Sequence, residues 1–142
     1  MWLRTFVHWF AVLLTAAALP ACTGSAKREA AALTEAVDRF SRSSGTAQVD
    51  AVNAVACTDD RVCEAKRICM EALDPTARAL VLKDEVGQKL ADLEAARLAP
   101  DSVVARELPG KLDEASRLLT KGHSKMHECD AKLTDLKLTY GF

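Results

Sequence analysis

Aromatic side chains are scarce in this chain, 5% of its 142 residues, and it has few glycines and prolines, 6 and 4. That scarcity argues against a many-stranded β-sandwich, which needs frequent turn residues and aromatic core positions. Charge of one sign is also missing, since 19 Lys and Arg stand against 20 Asp and Glu. The balance argues against a basic nucleic-acid binder and against a disordered charged tail. No run reaches the ~20 apolar residues of a comfortable transmembrane span. Neither a glycine-rich phosphate loop nor a strand-period segment of useful length occurs. What is present in quantity is apolar (49%) and charged (27%) residues, rich in Ala, Leu, Lys, Arg and Glu. For a chain of this length the composition fits one all-α domain.

The N-terminal segment sets the expected location. Arg4 is the only charge in residues 1–26, and a mostly apolar run follows over 6–19, interrupted by His8 and Thr15. A short basic start, an apolar stretch of this length and small residues at its end read as an export signal. Its last four residues, Leu19-Pro20-Ala21-Cys22, resemble the lipobox of bacterial lipoproteins: an aliphatic residue, two small ones, then cysteine. Pro20 is a less usual second residue. The resemblance implies removal of residues 1–21 as a lipoprotein signal peptide, with Cys22 the lipid attachment site and first residue of the mature chain. It further implies a membrane-anchored envelope protein. Thr23, standing where an Asp would retain such a protein at the inner membrane, points to the outer membrane. Without Arg4 the chain keeps 18 basic residues against 20 acidic, so no strong field selects nucleic acid or anionic lipid.

Behind a polar tether over 22–26, a helical domain is expected over 27–142. Leu33, Val37 and Phe40 form one stripe from Lys27 onward, and residues 41–46 interrupt or kink that first segment. A second segment starts near Cys57, with Thr58 or Asp59 as N-cap, and ends near Leu98 before the turn Ala99-Pro100-Asp101. Asp74-Pro75 reads as a fresh helix start and predicts a kink or break. The third segment carries the clearest pattern: Leu108, Leu112, Ala115, Leu119, Gly122, Met126, Cys129, Leu133, Leu136 and Tyr140 alternate by four and three. That is a heptad seam, kinked at its start by Pro109. The expected architecture is an elongated antiparallel bundle of about three helices.

Five cysteines less Cys22 leave four, an even set suited to an oxidising compartment. Cys57, Cys63 and Cys69 are spaced by six, which does not match the spacing of structural zinc ligands. Cys63 and Cys69 on one helix would point about 240° apart, too far to bridge. Two pairings remain: Cys57–Cys63 with Cys69–Cys129, or Cys57–Cys69 with Cys63–Cys129. If the second and third helices form a hairpin turning at position 99, Cys69 and Cys129 lie level, each 30 residues from the turn. That register favours the first pairing.

Chemistry is sparse. His123 and His127, four apart on the third helix, are candidate metal ligands, but the glutamate of a zincin motif and a third ligand are missing; a solvated face is the plainer reading. Carboxylate pairs such as Asp59-Asp60 and Asp113-Glu114 sit beside basic residues, as on ordinary helix surfaces. No catalytic residues, no cofactor and no enzyme activity are expected. A structural or protein-interaction role in the envelope fits best, through a protein partner or self-association. The alternatives are a periplasmic metal-binding protein and an inhibitor or immunity lipoprotein that binds an enzyme.

Overall fold

The computed structural model describes residues 21–43 and 45–142, with side chains from residue 24 onward. Residues 1–20, and with them nearly all of the expected signal peptide, lie outside the described part. Four helices follow one another: α1 (Ala21–Arg42), α2 (Thr46–Asn53), α3 (Asp60–Glu94) and α4 (Val103–Tyr140). The all-α class is as expected; the count is four because the first expected segment is two helices, divided around Gly45.

The expected tether, 22–26, belongs to α1. Ala26 is buried, and Ser25 Oγ donates to Glu29 Oε1 at 3.1 Å, one turn on. The alanine-rich sequence behind Gly24 has high helix propensity, and one exposed glycine does not stop it.

Helices α3 and α4, 35 and 38 residues long, form an antiparallel hairpin ~50–57 Å in length at 1.5 Å per residue. Asp59 caps α3, its Oδ1 accepting from the N–H groups of Arg61 (3.0 Å) and Val62 (3.3 Å). Ser102 caps α4 by accepting from Ala105 N–H at 3.2 Å. The hairpin turns where the carbonyl of Asp92 accepts from Arg97 N–H and Leu98 N–H, so α3 stops at Glu94, short of Leu98. Ala96 takes φ 52° there, a left-handed conformation usually given to glycine.

Asp74-Pro75 does not divide α3, nor does Pro109 divide the start of α4; both prolines lie inside continuous helices. A mid-helix proline costs about 3 kcal/mol, and packing around Pro75 offsets it. Pro75 itself is buried, between the fully buried Ala72 and Leu73 on one side and Ala77 and Ala79 on the other.

The two disulfides are Cys57–Cys63, with Cα atoms 5.1 Å apart, and Cys69–Cys129, at 4.6 Å. The second fixes the hairpin register. Gly122 agrees with it: a Cβ there would lie 2.8 Å from the carbonyl oxygen of Ala72 and against the Thr76 hydroxyl, so the two backbones meet where glycine permits.

One core runs through the lower half of the molecule. Leu33, Val37 and Phe40 of α1 and Val49 and Val52 of α2 pack on Val62, Ile68, Leu73 and Ala77 of α3 and on Leu133 and Leu136 of α4. Lys27 Nζ donates to the Gly141 carbonyl at 2.7 Å, and Glu29 accepts from both Thr58 N–H and Thr58 Oγ1 at 2.7 Å. The start of α1 therefore lies at the end of the hairpin opposite its turn. The core stops at Ala77 on α3. Beyond it the hairpin continues as an arm of two helices.

Candidate functional site

The arm is built from residues 78–94 of α3 and 103–119 of α4, and its two flanks differ. Along α4 the line of contact with α3 runs through Leu108, Ala115 and Gly122, all buried. At about 100° per residue, Lys111, Leu118 and Lys125 fall to one side of this line, and Leu112 and Leu119 to the other. The first side carries the ion pairs that cross the hairpin. Lys111 pairs with Glu85, Lys125 with Glu71 at 3.7 Å and Lys132 with Glu64 at 2.8 Å. Lysine 111 is held above its ordinary value, chiefly by the Glu85 hydrogen bond. Glu64 is lowered by its hydrogen bond with Lys132.

The second side carries leucines, with Lys83 of α3 exposed among them in the arm. In the lower half it is covered: Val62, Cys69 and Leu73, on the corresponding flank of α3, are fully buried beneath the core of α1 and α2. In the arm nothing described covers it. Leu90 is 44% exposed, Leu112 42% and Leu119 37%, with Leu80 half-buried beside them. Leu112 and Leu119, expected as seam residues, are thus displaced from the seam. Lys111 and Leu118, each one residue earlier, take the more covered positions. Steps of three and four are both compatible with a heptad pattern, and the sequence does not say which of two adjacent residues turns inward. Val81 and Val103 are exposed too, but the same helical count places them off this flank.

The ion-pair side holds an open groove of about 680 Å³, lined by Lys66, Arg67, Lys121, Lys125, Glu71 and Met70 among others. Its cations are mostly engaged. Lys66 Nζ donates to the carbonyls of Asn53 and Val55 at 2.6 and 2.8 Å, Arg67 pairs with Glu71, and Lys125 with Glu71 and Glu128. The sequence shows only the pairs Lys66-Arg67 and Lys121/Lys125, which read as ordinary helix surface.

His123 and His127 lie together on α4, ring centroids 5.7 Å apart and edge to face, both exposed. Among the described residues, no group of three or more His, Cys, Asp or Glu side chains could hold a metal ion. Cys22 falls in the first turn of α1, and its side chain is outside the described part. Among the described residues, no helix is long and apolar enough to cross a membrane. No family model, curated protein or solved structure matches the chain.

Proposed function

We propose that the chain is a lipoprotein of the bacterial envelope, anchored through Cys22 and held at the outer membrane, with a structural or protein-interaction role and no catalytic one. The observation that carries the interaction role is the uncovered apolar flank of the arm. Three leucines at 37–44% exposure line one side of a hairpin whose other side is bound by ion pairs. Large apolar side chains exposed together on one face commonly mark a contact site. The anchor rests on the lipobox resemblance. The N-terminal helix begins at the base of the hairpin, so a lipid on Cys22 leaves the arm at the far end from the attachment point.

Fractionation of cells carrying Cys22→Ser tests the anchor, alongside labelling with a clickable palmitate analogue. Wild-type chain is expected in the membrane fraction with label, and the variant in the soluble fraction without it. Label-free protein, or a variant that stays in the membrane fraction, overturns the anchor.

A further inference from the structure

We propose that the uncovered flank of the arm is the contact surface for a second copy of this chain, the two arms packing antiparallel into a four-helix bundle. The inference rests on the interaction reading above and names its partner.

The surface is suited to itself. On this flank Gly87, Ala91 and Ser116 are small and uncharged, while Lys83 and Glu94 are exposed on the same stripe of α3 as Leu80 and Leu90. At ~1.5 Å per residue, antiparallel arms set Lys83 level with Glu94 of the second copy and not with another lysine. The hairpin's ion pairs lie on the other side and stay solvated in the contact. The whole chain carries a formal charge of only −1, so long-range repulsion between copies is slight. Each arm, from residue 78 to the turn at Leu98, is ~31 Å long at 1.5 Å per residue and ~20 Å across two helices. Each copy therefore contributes about 600 Å², about 1,200 Å² in all, the lower edge of a standard specific interface. Pairing two hairpins converts a two-helix layer, which cannot enclose its leucines, into a bundle that can.

The position of α1 selects the direction. It occupies the same flank in the lower half of each copy. Were the arms to lie parallel, α1 would face α1, holding the hairpins apart by two helix layers where packed helices need 8–10 Å. Antiparallel arms avoid this, and the turn of one copy then comes to rest near the end of α1 in the other. Leu112 lies near the centre of the contact, facing Leu90 and Leu112 of the second copy. Leu119 faces the second copy's turn, around Leu98.

Photo-crosslinking in exporting cells tests this, with benzoylphenylalanine incorporated in place of Leu112 or Leu119 in the full chain. The expected product has twice the mass of the chain. Peptides crosslinked from position 119 are expected to map to the turn at 95–104 of the second copy. Crosslinks from 119 to 119 overturn the antiparallel arrangement. Crosslinks only to other proteins overturn the second copy as partner while leaving the interaction role standing. No crosslink from either position overturns both. With the probe at 119, the pair Leu90→Glu and Leu112→Glu is expected to lower dimer yield about tenfold or more, as loss of central contacts does. Arg106→Glu, exposed on another side, is expected to leave the yield unchanged. An unchanged yield in the leucine variant, with both disulfides intact on a non-reducing gel, overturns the proposal.

Discussion

Tyr140 Oη donates to Asp59 Oδ1 at 2.7 Å, the same oxygen that caps α3 through Arg61 N–H and Val62 N–H. The last residue of α4 is thereby tied to the cap of α3, closing the base of the hairpin opposite its turn. Arg61 Nη1 adds a bond to Thr139 Oγ1 at 3.2 Å. Three donors on one carboxylate oxygen, one of them a phenol, favour the charged carboxylate and the neutral phenol.

The pair makes stability depend on pH at both extremes. The hydrogen bond to Asp59 raises Tyr140 to about 12, against ~10 in an unfolded chain. This contribution is complete below ~10 and is lost as pH rises through about 12. Asp59 is lowered, first by the Tyr140 hydrogen bond. Its contribution is present above the unfolded value of ~3.9 and is lost as pH falls through its lower folded value. Tyr140 is the only tyrosine, so the near-ultraviolet phenolate band reports it alone. The folded protein is expected to titrate near 12, and titration near 10 would sink the account. Tyr140→Phe is expected to cost about 1 kcal/mol at neutral pH and to flatten the alkaline loss relative to wild type.

Two glycines of α4 are expected to respond to alanine with opposite signs. Gly122→Ala places a methyl group 2.8 Å from the Ala72 carbonyl and against the Thr76 hydroxyl, which itself donates to that carbonyl at 2.8 Å. Backbone has to shift, and overpacking of this kind costs about 1–3 kcal/mol. At Gly110 a Cβ meets nothing within 4 Å, so Gly110→Ala gains helix propensity worth up to about 1 kcal/mol. Urea unfolding of both variants decides it. A stabilised Gly122→Ala would mean that the helices do not approach as closely as described.

Much of the hairpin is legible in the sequence because its determinants are local or covalent. The seam over 108–140 names α4, Asp59 is readable as a cap, and the distances of Cys69 and Cys129 from the turn give the register that the disulfide confirms. The helices' continuity through Pro75 and Pro109 is not legible, because local preference reads each proline as a break. Pro75 is held by its burial, whereas Pro109 is exposed in the second turn of α4. The outward rotation of Leu112 and Leu119 is likewise tertiary. It follows from Lys111 and Leu118 taking the more covered positions, with Lys111 reaching Glu85 on the facing helix. That the apolar flank is covered only as far as Ala77 is a matter of length. The 22-residue α1 starts at the base and ends partway up the hairpin, and α2 adds only 8 residues.

The two disulfides are expected to contribute unequally, and the order follows from chain length. Cys69–Cys129 spans 60 residues and Cys57–Cys63 spans 6. In the chain-entropy treatment, cross-linking removes unfolded-state freedom in proportion to the logarithm of the loop. That gives about 4 kcal/mol for the long loop and about 2 for the short one. Location widens the gap. Cys69 and Cys129 are fully buried in the core, whereas Cys57 and Cys63 are half-buried at the entry to α3. Replacing the first pair by alanine also removes packed sulfur from between α3 and α4. The double variant Cys69→Ala with Cys129→Ala is therefore expected to lose at least about 4 kcal/mol, and Cys57→Ala with Cys63→Ala about half that. Denaturant midpoints and slopes measured on both, under non-reducing conditions, test the order. Should the short-loop variant prove the less stable, the hairpin would owe its register to its packing and not to the Cys69–Cys129 bridge.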